Sequence, residues 1–335
     1  MNPALQGLLT IMIGVGGCVG YFYGANVFLD KVLFPASGPN AGRNINRANM
    51  IRPWVFLFPA MAALGLYLAY PVIETLRMSF TERLSGGREQ FVGFDNYSQM
   101  FGEPKFREAL RNNMLWLIIV PAMSTALGLL AAQLTDRIRW GNIAKSIIFM
   151  PMAISFVGAA VIFKLIYEAR PIDVQQIGVL NAVYMQLGGA EPQQWLTIPL
   201  WNNLFLMVVL VWIQTGFAMV ILSAALRGIP EETIEAAIID GANPFQIFFK
   251  IKVPQIMGTI VVVWTTITIT VLKVFDIVFA MTNGQWETQV LANYMYDKMF
   301  RANDWGMGSA AAMVIMLLVM PILVWNVYNA RKEMR

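Results

Sequence analysis

The chain has 335 residues, of which 57% are hydrophobic and only 13% carry a charged side chain. A soluble domain has about twice that charged fraction, so the composition excludes an ordinary soluble protein and indicates that most of the chain faces lipid or other apolar helices. The net charge of +4, without a long basic run, is typical of cytoplasmic loops in a membrane protein and argues against nucleic-acid binding.

Seven apolar stretches are each long enough to cross a bilayer, which requires about 20 residues in a helix. In chain order they are residues 5–29, 54–76, 114–134, 143–167, 198–226, 256–281 and 308–328. Pro151 predicts a kink within the fourth stretch, because proline lacks the amide hydrogen that a helix interior needs. The sequence therefore predicts an all-α polytopic membrane protein.

Basic residues indicate how these spans are oriented, since lysine and arginine are enriched in cytoplasmic loops. They follow the first span, fill the turn after the third and end the chain, as Lys31, Arg43, Arg47, Arg52, Arg137, Arg139, Arg331, Lys332 and Arg335. By alternation, residues 227–255 are also cytoplasmic, whereas residues 77–113, 168–197 and 282–307 lie outside.

The cytoplasmic loop between the fifth and sixth spans has the pattern of two short helices. Pro230 suits the start of a helix, and Gly241 permits a left-handed stop. Pro244 then opens a second helix that carries Phe245 and Phe249 on one side. Such an aromatic face suits a groove on a partner protein, although a simple connector that rests on the membrane would show the same pattern.

The same loop contains spaced residues that resemble the signature loop of binding-protein-dependent ABC importer permeases. Glu235-Ala236-Ala237 precedes Gly241 by the expected spacing, and Ile251-Lys252-Val253-Pro254 closes the motif with valine in place of leucine. The resemblance implies a coupling helix that inserts into a cleft on an ATPase subunit. The residues that it places at this joint are Glu235, Ala236, Ala237, Asp240, Gly241, Phe245 and Pro254.

Two outer segments extend the resemblance to sugar-importer permeases of the maltose-transporter type. These are residues 91–97 with the stretch up to 113, and residues 282–313, in which Asn283-Gly284-Gln285-Trp286 stands where Gly-Gly-Pro is usual. The chain is most similar to the first permease subunit of alpha-glucoside importers. The resemblance implies a six-helix type I ABC importer permease core in residues 54–335, and an extra transmembrane helix with a basic cytoplasmic linker in residues 1–53.

That resemblance also implies the rest of the assembly and its place in the cell. The expected partners are a second permease in a heterodimer, two ATP-binding subunits and an extracytoplasmic sugar-binding protein, all at a bacterial inner membrane. The expected cargo is an alpha-glucoside such as maltose, sucrose or trehalose. The chain has no Gly-Lys-Ser/Thr phosphate loop, so ATP hydrolysis is expected on the partners, with no cofactor or metal on this chain.

Polar and aromatic residues within two spans are candidates for contact with a sugar, because polar groups inside a membrane are costly and often functional. The fifth span supplies Trp212, Gln214 and Phe217, and the sixth supplies Thr270, Lys273 and Asp276. The alternatives are that the threonine only bonds its own backbone, and that the lysine and aspartate form an ion pair three residues apart.

Two other classes of protein fit the composition less well. A secondary carrier driven by an ion gradient usually shows internal repeats with broken helices, which this sequence does not suggest. An intramembrane enzyme needs clustered acids, a histidine or a metal set, whereas this chain has no histidine and a single cysteine, Cys18.

Overall fold

The computed structural model describes residues 3–83, 88–136 and 138–333. At residues 326, 327 and 329–333, within the last of these ranges, it describes the backbone alone. Arg137 and Arg335, two of the predicted cytoplasmic bases, lie outside the described residues. The chain divides into two compact units, Met1–Glu74 and Thr75–Arg335. The predicted boundary after residue 53 falls inside a helix of the first unit, so the assignment of residues 1–53 as an addition to a core remains a prediction.

The first unit consists of two long helices joined by a short turn. Helix α1 covers Pro3–Val27 and continues as a π-helical turn, Phe28–Leu33, and α2 covers Ala41–Leu64 before a second π-helical turn, Gly65–Ala69. The Tyr21 hydroxyl donates to the Val55 carbonyl at 2.7 Å, and Arg52 pairs with Asp30 at 2.5 Å. These contacts join α1 and its extension to α2.

The second unit contains the remaining helices and one small hairpin. Its elements are α3 (Tyr70–Ser79, which begins in the first unit), β1 (Thr81–Arg83), β2 (Glu89–Phe91), α4 (Asp95–Gly102), α5 (Pro104–Thr135), α6 (Gly141–Phe149), α7 (Phe156–Ile166), α8 (Val179–Gln186), α9 (Trp201–Arg227), α10 (Glu231–Ile239), α11 (Pro244–Gln246), α12 (Val253–Gln255), α13 (Met257–Leu272), α14 (Asp276–Met281), α15 (Leu291–Tyr296) and α16 (Trp305–Glu333). The predicted all-α architecture is confirmed, apart from the antiparallel pair β1–β2.

Helices α5 and α9 form the centre of the second unit, and α13 packs against both. Their close approach depends on small residues, because a Cβ on Gly128 would lie 2.5 Å from the Cβ of Ala218. Trp116 of α5 and Met219 of α9 are fully buried in the same apolar cluster. Interiors this tightly packed do not tolerate an added methyl group without movement of the backbone.

Five helices in the described residues are long and apolar enough to cross a membrane, or up to seven if each of two bent pairs is one span. The first bent pair, Gly141–Ala153 with Phe156–Ile166, turns by 104°, so the predicted kink at Pro151 is instead a break. Ser155 caps the new helix by accepting a hydrogen bond from the amide of Gly158 at 3.1 Å. A side-chain cap at the start of a new helix gives a hydrogen-bond partner to an amide that has none within the helix.

The sixth predicted span, 256–281, is not one helix. Helix α13 ends at Leu272, where the backbone amide of Lys273 donates to the Thr270 carbonyl at 3.2 Å. A new helix, α14, begins at Asp276. At its other end α13 meets the segment Pro244–Gln255 at an angle of 71°. The prediction of a continuous helix through Met281 is therefore wrong.

Candidate functional site

The loop between α9 and α13 forms a hairpin of two short helical legs, residues 230–255, called here the coupling hairpin. Its first leg, α10, starts after Pro230 and ends in a left-handed glycine, Gly241, with φ of +80°. Ala242 donates to the Ala237 carbonyl at 2.9 Å, and Gly241 donates to the Ile238 carbonyl at 3.0 Å. This pair of bonds is a Schellman motif, which ends the helix at a fixed angle. The predicted helix and glycine stop are confirmed.

The second leg starts with a feature that the sequence interpretation missed. Asn243 accepts a hydrogen bond from the Gln246 amide at 2.9 Å, and the Gln246 side chain accepts one from the Asn243 amide at 2.9 Å. This reciprocal pair is a capping box around Pro244, and its Asn-x-x-Gln spacing resembles the Ser/Thr-x-x-Glu/Gln pattern by which capping boxes are found in sequences. A π-helical turn, Ile247–Lys252, and α12 complete the leg.

The coupling hairpin exposes an apolar surface away from the rest of the protein. Ile239 and Phe245 are 85% and 78% exposed, and Ile238 and Phe249 are also mostly exposed. Ala237, on the same helix, is buried, so α10 has one side against the interior and another on the surface. Four large exposed apolar side chains on one short hairpin are typical of a protein contact. Ile239 was not predicted from the sequence.

The remaining predicted residues of the motif lie on the same hairpin. Glu235 and Ala236 are exposed on α10, Asp240 caps its C-terminal end, and Pro254 lies exposed in α12. Because these residues are exposed, a partner protein can reach the predicted contact surface. Its role in contact with an ATPase stays a prediction.

A charged cluster at the base of the coupling hairpin was not predicted. Asp136, just after α5, accepts hydrogen bonds from the Arg227 guanidinium at 2.9 and 3.0 Å and from Ser223 at 3.1 Å, and it pairs with Lys145 of α6. Lys145 also donates to Ser223 at 2.5 Å. The cluster joins the C-terminal ends of α5 and α9 to α6, and Arg227 lies three residues before the hairpin begins at Pro230.

The environment of Asp136 favours its charged form. Burial by itself would raise the pKa of this carboxyl, but hydrogen bonds from Lys145, Arg227 and Ser223 outweigh burial and hold the pKa below its usual value. The aspartate is therefore ionised near neutral pH. In the sequence, Asp136 is a single acid beside the basic turn that holds Arg137 and Arg139. From the sequence alone, that turn indicated only the topology.

The second leg of the coupling hairpin is also tied to α5. Lys252, at the end of the π-helical turn, donates to the Gln133 side chain at 3.2 Å. Gln133 lies in the last turn of α5, three residues before Asp136. The second leg of the hairpin and the end of α9 that precedes its first leg are thus both bonded to the end of α5.

The candidate substrate residues of the fifth span lie on α9. Trp212 is half-buried against the Phe163 ring, with centroids 5.4 Å apart, and lines an apolar pocket of about 700 Å³ between α5, α6 and α9. Phe217 packs against the main apolar cluster, and Gln214 is half-buried. Neither Gln214 nor Phe217 lines that pocket.

The candidates of the sixth span lie around the break between α13 and α14. Thr270 donates to the Thr266 carbonyl at 3.2 Å, so its hydroxyl bonds its own helix, as the alternative interpretation expects. Lys273 is exposed and lines a pocket of about 360 Å³ with the rings of Phe275 and Tyr296. Asp276 begins α14 and, within the described part of the chain, forms no ion pair with Lys273.

Neither of these two pockets brings the six candidates together. Trp212 and Lys273 line different pockets, and the other four line neither of these two. Across residues 3–83, 88–136 and 138–333, no three His, Cys, Asp or Glu side chains gather as ligands for a metal ion. A contact with substrate by the six candidates remains a prediction.

Comparison with known proteins gives one family and several close relatives. Residues 124–333 match the family described as "Binding-protein-dependent transport system inner membrane component". The chain is 61% identical to the alpha-glucoside transport system permease protein AglF of Rhizobium meliloti, over 99% of both chains. It is 47% identical to the osmoprotective compounds uptake permease protein GgtC of Synechocystis, over 84% of this chain and all of that one.

The fold is similar to that of a solved membrane protein. A chain from the crystal structure of a bacterial ABC transporter that imports the acidic polysaccharide alginate superposes with a TM-score of 0.72, covering 87% of this chain and 98% of that one at 21% sequence identity. At this identity the match concerns the fold, and it confirms the predicted importer-permease architecture of the helices.

Proposed function

This chain belongs to the family of inner membrane components of binding-protein-dependent transport systems, and we propose that it is a permease subunit of an ATP-driven alpha-glucoside importer. The relative from Rhizobium meliloti, named for alpha-glucoside transport, supports this substrate class because its identity extends over nearly the whole chain. The complete transporter contains a second permease, two ATP-binding subunits and a soluble sugar-binding protein. The chain itself carries no catalytic residues.

The observation that carries the proposal is the exposed apolar surface of the coupling hairpin. Ile239 and Phe245 project from a hairpin whose geometry is fixed by the Schellman motif at Gly241 and the capping box at Asn243. A short, pre-shaped helix with exposed apolar side chains fits a groove on a partner at low entropic cost. In this proposal the groove belongs to the ATP-binding subunit.

The charged cluster around Asp136 supports a path for the movement. When the ATP-binding subunits close, they displace the coupling hairpin, and Arg227 and Lys252 pass that displacement to α9 and to the end of α5. Because α5 and α9 are in contact along their length, with Gly128 against Ala218, they move together. The translocation path then opens and closes where these helices meet the second permease.

A sugar contact is proposed at the break between α13 and α14. Lys273 supplies an ammonium group there, and the rings of Phe275 and Tyr296 offer flat apolar faces in the same pocket. Sugars present hydroxyl groups and apolar ring faces, which suit this combination.

The test is transport of radiolabelled maltose into proteoliposomes that contain both permeases and both ATP-binding subunits. Uptake is expected only when ATP is enclosed in the vesicles and the soluble sugar-binding protein is added outside them. It should stop when the ATP-binding subunits are omitted. Uptake driven by a proton or sodium gradient without those subunits would instead support a secondary carrier and would overturn the proposal.

A further inference from the structure

The outer loop 282–289, which contains the Asn283-Gly284-Gln285-Trp286 variant, has an unusual backbone. Asn283, Gly284, Trp286 and Glu287 have φ values of +54°, +72°, +52° and +60°. For residues other than glycine, the left-handed region is sterically unfavourable, and a bulky residue such as tryptophan rarely adopts it. Such strain persists only where the surrounding structure fixes the backbone, and it is concentrated at functional positions.

Side chains from α5 and α9 provide that fixation. Asn202 donates to the Trp286 carbonyl at 2.5 Å, and Asn203 donates to the Glu287 carbonyl at 3.1 Å. Asn112 donates to the carbonyls of Glu287 and Gln289, each at 2.8 Å. All three asparagines are buried. Three amide side chains from two helices thus hold the carbonyls of Trp286, Glu287 and Gln289 in a single conformation.

The inner side of the loop is closely packed as well. A Cβ on Gly284 would lie 2.1 Å from the Gln289 side-chain oxygen, so only glycine fits there. The hydroxyls of Thr282 and Thr288 are 2.6 Å apart across the base of the loop, and Arg301 donates to the Asn283 side chain at 3.0 Å. The loop is therefore a rigid platform rather than a flexible connector.

The platform presents one large side chain. Trp286 is 47% exposed, and among the described residues its indole forms no hydrogen bond or ring contact. Asn202 is at the start of α9, whereas Arg227, next to the coupling hairpin, is at its end, about 40 Å away along a helix of 27 residues. Trp286 therefore lies at the opposite end of the helical bundle from the proposed ATPase contact.

We infer that the loop 282–289 is a docking surface for the soluble sugar-binding protein, with Trp286 as its anchor. The inference rests on the proposed function, which requires such a partner at the face opposite the coupling hairpin. Exposed tryptophans on rigid supports are the side chains that most often dominate the affinity of a protein interface. Fixing the loop before contact removes the entropic cost of ordering it.

The surroundings of Trp286 favour a protein partner over the acyl-chain region of the membrane. Glu287, the next residue, pairs with Arg111 at 3.4 Å, and both side chains are about 60% exposed. Gln285, on the other side, is also exposed. A rim of charged and polar side chains around a central aromatic residue is the arrangement of a protein interface, whereas charged neighbours oppose insertion of the ring among acyl chains.

The experiment titrates the purified sugar-binding protein, loaded with maltose, against the complete transporter in nanodiscs and measures ATP hydrolysis. For Trp286→Ala we expect the concentration for half-maximal stimulation to rise about thirty-fold, which corresponds to about 2 kcal/mol, with an unchanged maximal rate. Trp201→Ala is the matched control, since Trp201 is 58% exposed at the start of α9, and its effect is expected to stay within about two-fold.

An unchanged half-maximal concentration for Trp286→Ala would overturn the inference while leaving the proposed function intact. A transporter without substitutions that the binding protein does not stimulate would instead count against the proposed function. As a second measurement that does not depend on truncation, a photo-crosslinking phenylalanine at position 286 should attach to the binding protein. Attachment only to lipid or to the second permease would also overturn the inference.

Discussion

Phe245 offers a direct measure of how the coupling hairpin contributes to assembly. Its side chain is 78% exposed, and complete burial of a phenylalanine contributes about 1.5–3 kcal/mol. A groove that covers the exposed part therefore gains about 1–2 kcal/mol from this ring. Phe245→Ala should weaken binding of the ATP-binding subunit about 5- to 30-fold, while the fold is retained because the ring is not part of the core.

The assay is a titration of the purified ATP-binding subunit onto nanodiscs that contain both permeases. Phe91→Ala is the control, because Phe91 is 75% exposed in a loop predicted to lie on the outer side, and it should bind as the unsubstituted protein does. Equal affinity for Phe245→Ala and the unsubstituted protein would refute the coupling contact, and so would an equal loss in the Phe91→Ala control.

Three further predictions follow from backbone, charge and packing. Gly241→Ala places a side chain at φ of +80° and should lower maltose transport several-fold, through a strain of about 1–2 kcal/mol, whereas Gly228→Ala at φ of −78° should not. Asp136→Asn should lower the free energy of unfolding of the protein by about 2 kcal/mol at pH 7. Because the pKa of the Asp136 carboxyl is lowered in the folded protein, the difference in melting temperature between the two proteins should hold down to about pH 5. It should disappear as the pH falls through that lowered pKa. Gly128→Ala brings a methyl group against Ala218 and should lower the free energy of unfolding by about 1–3 kcal/mol, measured as a lower melting temperature. A melting temperature equal to that of Gly228→Ala would contradict the close packing of α5 against α9.

In the proposed function, the charged cluster around Asp136 lets the coupling hairpin act as a lever. A hairpin joined to the membrane helices only through the chain would bend at its ends when pushed. Here Arg227, three residues before the hairpin, and Lys252, near its end, both bond to the end of α5. The force from a partner is therefore distributed over two long helices that are already packed together.

The sequence by itself determined the class of the protein and the location of its most informative segment. Apolar runs of spanning length are set by the thickness of the bilayer, so they can be read without a fold. The ends of α10 and the left-handed Gly241 were also predictable, because helix stops depend on a few neighbouring residues. The resemblance of residues 235–254 to a known loop identified the family for the same reason, since that motif is contiguous.

Only the tertiary structure decided what depends on residues far apart in the chain. Asp136 meets Arg227 across 91 positions, and Asn112 meets the loop at Gln289 across 177. A local pattern could mark one member of such a cluster, such as the acid beside the basic turn, but not the residues that it meets. The breaks at Pro151 and Lys273 were mistaken for a kink and a continuous helix, because hydropathy records that a segment is apolar but not whether its backbone is straight. Packing against neighbouring helices stabilises these breaks, as does the Ser155 cap of α7 at the first one, and both are settled only when the chain is folded.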